Sequence, residues 1–271
     1  MSVERDRPPA DAAGIPVLLY HSVADAPPPG QQQQFTVTRA GFAEHVAMIA
    51  ASGRAAMTIS ELASALSGQR ALPEHSVAVT FDDGFDDTPA AVSQLRAAGI
   101  SSTVYVTTGN IGTPRGISPA GLAALVESGA ELGAHTVSHP HLDELPARAA
   151  ASEISDSRRQ LEEHLGSTVA TFAYPHGDHG RRVRAAVIAA GFSSAAAVKN
   201  ALSHRGDDPF AIARWTVMHD TSTEQLARIL AGEGAPLAWA GERYRTWAYR
   251  EARRMRRRLR AIASAGAERR R

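Results

Sequence analysis

Residues 77–84 read VAVTFDDG, an uncharged run with four apolar residues that meets two carboxylates and a glycine. A short apolar run bounded by polar residues is what a strand covered on both faces requires, and such strands belong to parallel sheets flanked by helices. Upstream, IPVLLY at 15–20 has the same character and ends in His21 and Ser22. Between the two runs, Phe42, Val46 and Ile49 recur at helical spacing ahead of Gly53, which predicts a helix over 39–52. A short strand over 55–58 and a second helix from Ser60 to Gly68 follow. Downstream the alternation continues. Helices are predicted over 86–98, 119–128, 146–165, 180–190 and 222–231, with strands at STVYVTT, ELGAH, TVATFAYP, SSAAAV and AIARWTV between them. Glycines at 99, 129, 166 and 191 stand where helices should stop. About eight strands interleaved with helices argue for an α/β fold with a closed or nearly closed parallel barrel rather than an open doubly wound sheet.

Length alone leaves one or two domains open and fits a single α/β barrel. With 271 residues, 44% hydrophobic and 21% charged, the chain lies inside the globular range. No apolar run approaches the roughly 18 residues needed to cross a bilayer. The opening MSVERDRPPADAAG lacks the apolar centre of a signal peptide, so a cytoplasmic location is expected. The absence of Cys removes thiolate nucleophiles and Cys-ligated zinc, leaving His and carboxylates as strong metal ligands. Neither GxGxxG nor GxxxxGK[ST] occurs, so nucleotide binding has no support. Charge is unevenly placed. Residues 241–271 hold 12 Arg against 3 Glu, a net of +9, within a chain whose total is +1. From Trp239 onward this segment can be written as a helix carrying Tyr244, Trp247, Met255 and Leu259 among the Arg. It would either meet an anionic membrane surface at its inner face or pack on the body, and no nucleic-acid recognition fold accompanies it. The expected organisation is a leader over 1–14, a barrel over 15–235, and a basic C-terminal helix and tail over 236–271.

In parallel barrels, polar residues at the carboxyl ends of the strands form the active site. That rule nominates Asp82 and Asp83, where one carboxylate could ligate a cation while the other stays free as a base. Helix capping is the alternative use of such a pair, although Asp86 and Asp87 suit it better. The rule also nominates HTVSHPHL, in which His135 and His139 could meet one cation, with His141 supporting the loop. A solvated His-rich loop is the plainer alternative. Tyr174, Tyr105 and Trp215 could wall a pocket or belong to the core. His45, His75, His164, His179 and His204 lack neighbouring partners in sequence and are expected at the surface.

TFDDG, HTVSHPHL and FAYPHG occur in the order found in polysaccharide deacetylases, the NodB-homology domain of carbohydrate esterase family 4, and IPVLLYHSV is similar too. The resemblance spans roughly residues 15–220, and FAYPHG is closest to the FAYPYG-like subgroup. It implies a distorted (β/α)7 barrel that removes N-acetyl groups from an amino sugar in a polysaccharide, glycolipid or glycan precursor, using a divalent metal, usually zinc. It assigns Asp82 as general base and Asp83, His135 and His139 as metal ligands. Tyr174 would supply a backbone N–H to the oxyanion, with Pro175 and His176 completing that motif. The motif lacks the usual Arg; Arg214 in ARWTV resembles the Arg that replaces it in the subgroup, holding Asp82 ionised. For the general acid the candidates are His219, His21 and His176, in that order. An O-acetyl esterase, a cyclic amide hydrolase or a carbohydrate-binding pseudoenzyme on the same fold are the competing readings.

Overall fold

The computed structural model describes residues 14–26, 31–177 and 179–239. Its strands are β1 (Val17–Tyr20), β2 (Ser22–Val23), β3 (Thr36–Val37), β4 (Ala55–Met57), β5 (Ser76–Phe81), β6 (Ser102–Val106), β7 (Glu131–Ala134), β8 (Thr171–Ala173), β9 (Ser194–Val198) and β10 (Ile212–Thr216). The helices are α1 (Arg39–Ala51), α2 (Ile59–Leu66), α3 (Thr88–Ala97), α4 (Pro119–Glu127), α5 (Ala147–Leu165), α6 (Arg181–Ala189) and α7 (Thr223–Leu230).

Eight strands pair side by side in the order β1-β10-β9-β8-β7-β6-β5-β4, and a further β1–β5 pairing closes seven of them into a parallel barrel. β4 stays outside the ring because β5 has only one edge left to share. Its N-terminal half takes β4 (Ala55↔Ser76) and its C-terminal half takes β1 (Tyr20↔Phe81). The ring is thinnest between β7 and β8, where a single register pair, Ala134↔Phe172, is found. The distorted (β/α)7 barrel expected from the sequence is therefore present. The strand read in TVATFAYP is confined to Thr171–Ala173, and the parallel β2–β3 pair was not anticipated.

Local chemistry explains the helix boundaries. Thr58 and Ser222 cap α2 and α7 through complete capping boxes with Glu61 and Gln225, each satisfying two backbone donors that a helix start leaves open. The glycines taken as helix stops at 99, 129, 166 and 191 all have positive φ, which an L side chain would resist.

Alternation along the strands sorts the core into two apolar regions. Leu18, Tyr20, Val79, Phe81, Val104 and Phe172 lie between barrel and helices. Val17, Ala78, Tyr105, Ala173, Ala196 and Ile212 fill the interior, with α2 residues Ile59 and Leu62 in the same cluster. Tyr105 is the largest of the interior group and needs Gly133 beside it. A Cβ at 133 would stand 2.5 Å from the Tyr105 ring and 2.8 Å from Thr171 Cγ2. Gly133→Ala is expected to cost on the order of 1–3 kcal/mol through overpacking, read as a lowered denaturation midpoint. An unchanged midpoint would show that the ring relaxes freely.

Pro236–Trp239, assigned from sequence to the tail, is bonded to the barrel body. Leu202 N–H donates to Pro236 O at 2.9 Å, Ala238 N–H to Leu202 O at 2.8 Å, and Lys199 Nζ to Trp239 O at 3.3 Å. The Arg-rich segment beyond it and the leader to residue 13 lie outside the described residues.

Candidate active site

The mouth of the barrel is built where β5, β7 and β10 end. Asp82 extends β5, its N–H donating to Tyr20 O at 3.0 Å, so its side chain keeps the inward parity of Thr80. Asp83 then adopts φ 74° and Gly84 φ 66°. This left-handed turn curls the chain so that both carboxylates face the same opening, where an extended strand would send them to opposite faces.

Arg214, fully buried on β10, grips Asp82 with both ends of its guanidinium, Nη1–Oδ1 at 2.6 Å and Nη2–Oδ2 at 2.8 Å. The same guanidinium donates to Thr80 Oγ1 at 3.2 Å and Ala197 O at 3.3 Å, and lies 5.4 Å above the Tyr105 ring. Burial alone would raise the Asp82 pKa. The Arg214 charge, then His135 and the Arg214 hydrogen bonds, overcome it and hold the carboxyl at about 2. Asp83 has no such partner, and burial, with the Asp82 charge adding to it, pushes its pKa up to about 6.

His135 follows β7. Its Nδ1–H donates to Ala173 O at 2.8 Å, which fixes the tautomer and turns the Nε2 lone pair into the mouth. That Nε2 lies 3.7 Å from Asp83 Oδ1 and 3.8 Å from Asp82 Oδ2, while His139 Nε2 is 3.4 Å from Asp83 Oδ1. Burial lowers the pKa of both imidazoles, His135 to about 3, so both present neutral nitrogens. Donor atoms of Asp83, His135 and His139 fall within 4.8 Å of one another. Tetrahedral zinc with ligands at about 2.0–2.2 Å needs donors roughly 3.3–3.6 Å apart. An underpartnered buried carboxylate and two neutral nitrogens converging close to that spacing fit a divalent cation.

His21, at the end of β1, joins the same cluster. Its charge couples to Asp82, Asp83 and His139, its ring lies 4.7 Å from that of Phe35, and its buried Nδ1 has no hydrogen-bond partner. Burial holds its pKa below the ordinary value. His219 is placed differently: its side chain is 53% exposed, with Nδ1 3.4 Å from Gln34 O, and it is not among the groups whose charge bears most on Asp82. His176 takes φ 58° and stands edge-on to His139 at 4.5 Å, stacked on His141 at 3.8 Å.

Several expectations need correction. The Tyr174 N–H donates to Ala196 O at 3.1 Å, so the sheet ladder already uses the donor assigned to an oxyanion. Pro175, buried beside it, has no N–H to offer. Tyr105 and Tyr174 are fully buried, the latter's hydroxyl donating to Phe210 O at 2.9 Å, so neither can wall a sugar; Trp215 is half-buried against the core. Asp87 occupies the N-cap position of α3 without a side-chain cap bond. Its Oδ2 instead accepts from Ser22 Oγ at 2.5 Å and Val23 N–H at 3.2 Å, tying the segment after His21 to the acidic loop. His45 and His204 are buried, bonded to the Tyr20 hydroxyl at 3.2 Å and Ala238 O at 3.0 Å.

Two contributors were invisible in the sequence. Glu153 on α5 accepts from the loop joining His135 to His139. Thr107 links the loop of Asp83 to that of His135, its N–H donating to Asp83 O at 3.3 Å and its hydroxyl to His135 O at 3.4 Å. No local pattern marks either, since their roles arise only when β6, β7 and α5 come together.

Residues 69–195 match the family described as Polysaccharide deacetylase. Among curated proteins, YxkH of Bacillus subtilis (strain 168) is 22% identical over 203 residues, 74% of this chain and 71% of that protein. Chitin deacetylase 3 of Cryptococcus neoformans is 34% identical over 112 residues, 40% of this chain, and the match spans only 26% of that relative's length. Among solved structures, the Streptococcus pyogenes deacetylase PplD superposes with a TM-score of 0.73 at 20% identity, covering 81% of this chain and 99% of that one. IcaB from Ammonifex degensii gives 0.69 at 26% identity, covering 82% and 98%.

Proposed function

We infer that this chain, which belongs to the polysaccharide deacetylase family, hydrolyses the N-acetyl group of an amino sugar in a polysaccharide, glycolipid or glycan precursor. One observation carries the reading. A carboxylate kept ionised by a buried bidentate Arg, Asp82, stands 3.8 Å from an imidazole of the Asp83, His135, His139 donor set. Carbohydrate binding alone has no use for a base beside three convergent ligands, which disfavours the pseudoenzyme alternative.

The reaction adds water across an amide and yields acetate and an amine. A divalent cation, zinc by preference for two imidazoles and a carboxylate, would be held by Asp83, His135 and His139 and would supply Lewis acidity to the acetyl carbonyl and to water. Asp82 accepts a proton from the attacking water, and Arg214 keeps that carboxylate in one orientation by binding both its oxygens. The departing nitrogen needs a proton in return. We assign that delivery to His21, whose charge couples to Asp82 and Asp83, ahead of the solvent-exposed His219. Burial keeps His21 neutral at rest, so the proton that Asp82 takes from water would have to reach it before the nitrogen departs. His176, edge-on to His139, would line the entrance.

No helix among the described residues is long and apolar enough to cross a membrane. The net +9 of residues 241–271 would instead draw the protein to anionic headgroups, where a glycolipid or lipid-linked glycan is presented.

The test is acetate release by the purified chain from N-acetylglucosamine oligomers, beside an O-acetylated glycan. Release from the N-acetyl series is expected; release from the O-acetyl glycan alone would replace the amidase reading with an esterase. Metal content gives a second expected result. One zinc per chain should bind in the untreated protein, and His135→Ala should lose it, as read by calorimetric titration. Stoichiometric binding that survives His135→Ala would place the ion elsewhere.

A further inference from the structure

We infer that Glu153 is a positioning residue for the cation site, setting the place of His139 by hydrogen bonds to its loop; the inference rests on the reading of Asp83, His135 and His139 as ligands. Glu153 lies on α5, outside the barrel, and touches none of the three. Its Oε2 accepts the N–H groups of Val137 and Ser138, both at 2.9 Å, and its Oε1 accepts the Ser138 hydroxyl at 2.7 Å. Such charge-assisted bonds are about twice as strong as neutral ones.

The loop needs that support. Thr136 and His139 have φ of 65° and 56°, a left-handed conformation that L residues resist and that persists where the surroundings over-determine it. The other restraints act on the loop's opposite side: His139 N–H donates to Thr136 Oγ1 at 3.0 Å, Thr108 N–H to Thr136 O at 3.1 Å and Gly109 N–H to Val137 O at 2.8 Å. Gly109 is drawn in so closely that a Cβ there would stand 2.5 Å from Val137 O. The loop is thus clamped between the segment after β6 and the Glu153 carboxylate. Removing the carboxylate leaves two adjacent N–H groups without their acceptor and frees the segment leading into His139. His135 is set independently, by Ala173 O, so the two imidazoles should respond differently.

The experiment is zinc titration of the full chain by calorimetry, with cobalt(II) absorption as a probe of ligand geometry and circular dichroism to confirm folding of the apo forms. Glu153→Ala should weaken zinc binding about 10–100-fold and alter the cobalt spectrum. Glu153→Asp keeps the charge but falls one methylene short, and should weaken binding in the same direction if the alanine variant does not fold. Glu153→Gln retains a neutral acceptor for the two N–H groups and should recover about half of the loss in binding free energy. Wild-type affinity in Glu153→Ala or Glu153→Asp would overturn the inference. So would Glu153→Gln as weak as Glu153→Ala, since that would make charge, not the hydrogen bonds, the cause. A wild-type chain that binds no zinc would overturn the ligand reading beneath it, an outcome distinct from the others.

Discussion

Asp82→Asn should lower kcat for acetate release by about 10²–10⁴-fold, the range for loss of a positioned general base, while zinc still binds. Asn nearly reproduces the shape of the carboxylate but has no basic oxygen, so the proton of the attacking water has no acceptor in place. The ligand atoms of Asp83, His135 and His139 are untouched by the change, which is why metal content should hold and separates a chemical defect from a collapsed site. The assay is acetate production at saturating N-acetylated oligosaccharide beside a zinc titration of the same sample. Turnover within a few-fold of wild type would remove Asp82 from the base role. Loss of zinc together with turnover would instead make Asp82 a structural support of the site.

The second large effect is on stability. Arg214→Met should destabilise the fold by about 3–5 kcal/mol, because removing one partner of a buried ion pair strands the other charge. Asp82 would lose its two short bonds and the largest of the charges that together outweigh its burial, so its pKa should climb from about 2. The sign follows from linkage. The native value lies below the roughly 3.9 of an unfolded Asp, so the pair's stabilisation is complete above about pH 4 and fades as pH falls toward 2. In Arg214→Met that acid-side dependence should vanish or reverse. The double variant Asp82→Asn with Arg214→Met removes both charges and should recover much of the stability lost in Arg214→Met alone. Denaturant midpoints across pH decide it. A double variant no more stable than Arg214→Met would mean that Arg214 matters through its packing on Tyr105 and its bonds to Thr80 and Ala197.

Much of the barrel could be read from the chain because buried parallel strands are written as apolar runs and the helices between them end at glycines with positive φ. VAVTF became β5 and IPVLLY became β1 for that reason. Ring closure was harder to read, since β5 divides one edge between β1 and β4, and edge sharing leaves no mark on either strand. Adjacent residues behaved similarly. Asp82 with Asp83 and His135 with His139 could be nominated because each pair is close in sequence, whereas choosing between His21 and His219 needs the folding of β1 against β5. Asp87 looked like a cap and is an N-cap by position, yet its carboxylate is spent on Ser22 and Val23 across the rim. The Tyr174 N–H looked available until β9 took it up.

The packing beneath the site has a consequence for traffic. Arg214, Thr80 and Tyr105 are fully buried and the apolar interior is packed in the same barrel, so the barrel floor beneath the candidate site is filled. On the proposed reaction, sugar, water, acetate and amine would all pass through the mouth of the barrel. Under that reading acetate would have to clear the threshold before the next acetylated residue is seated, which would make the pace of product escape a property of the rim rather than of the carboxylates at its base.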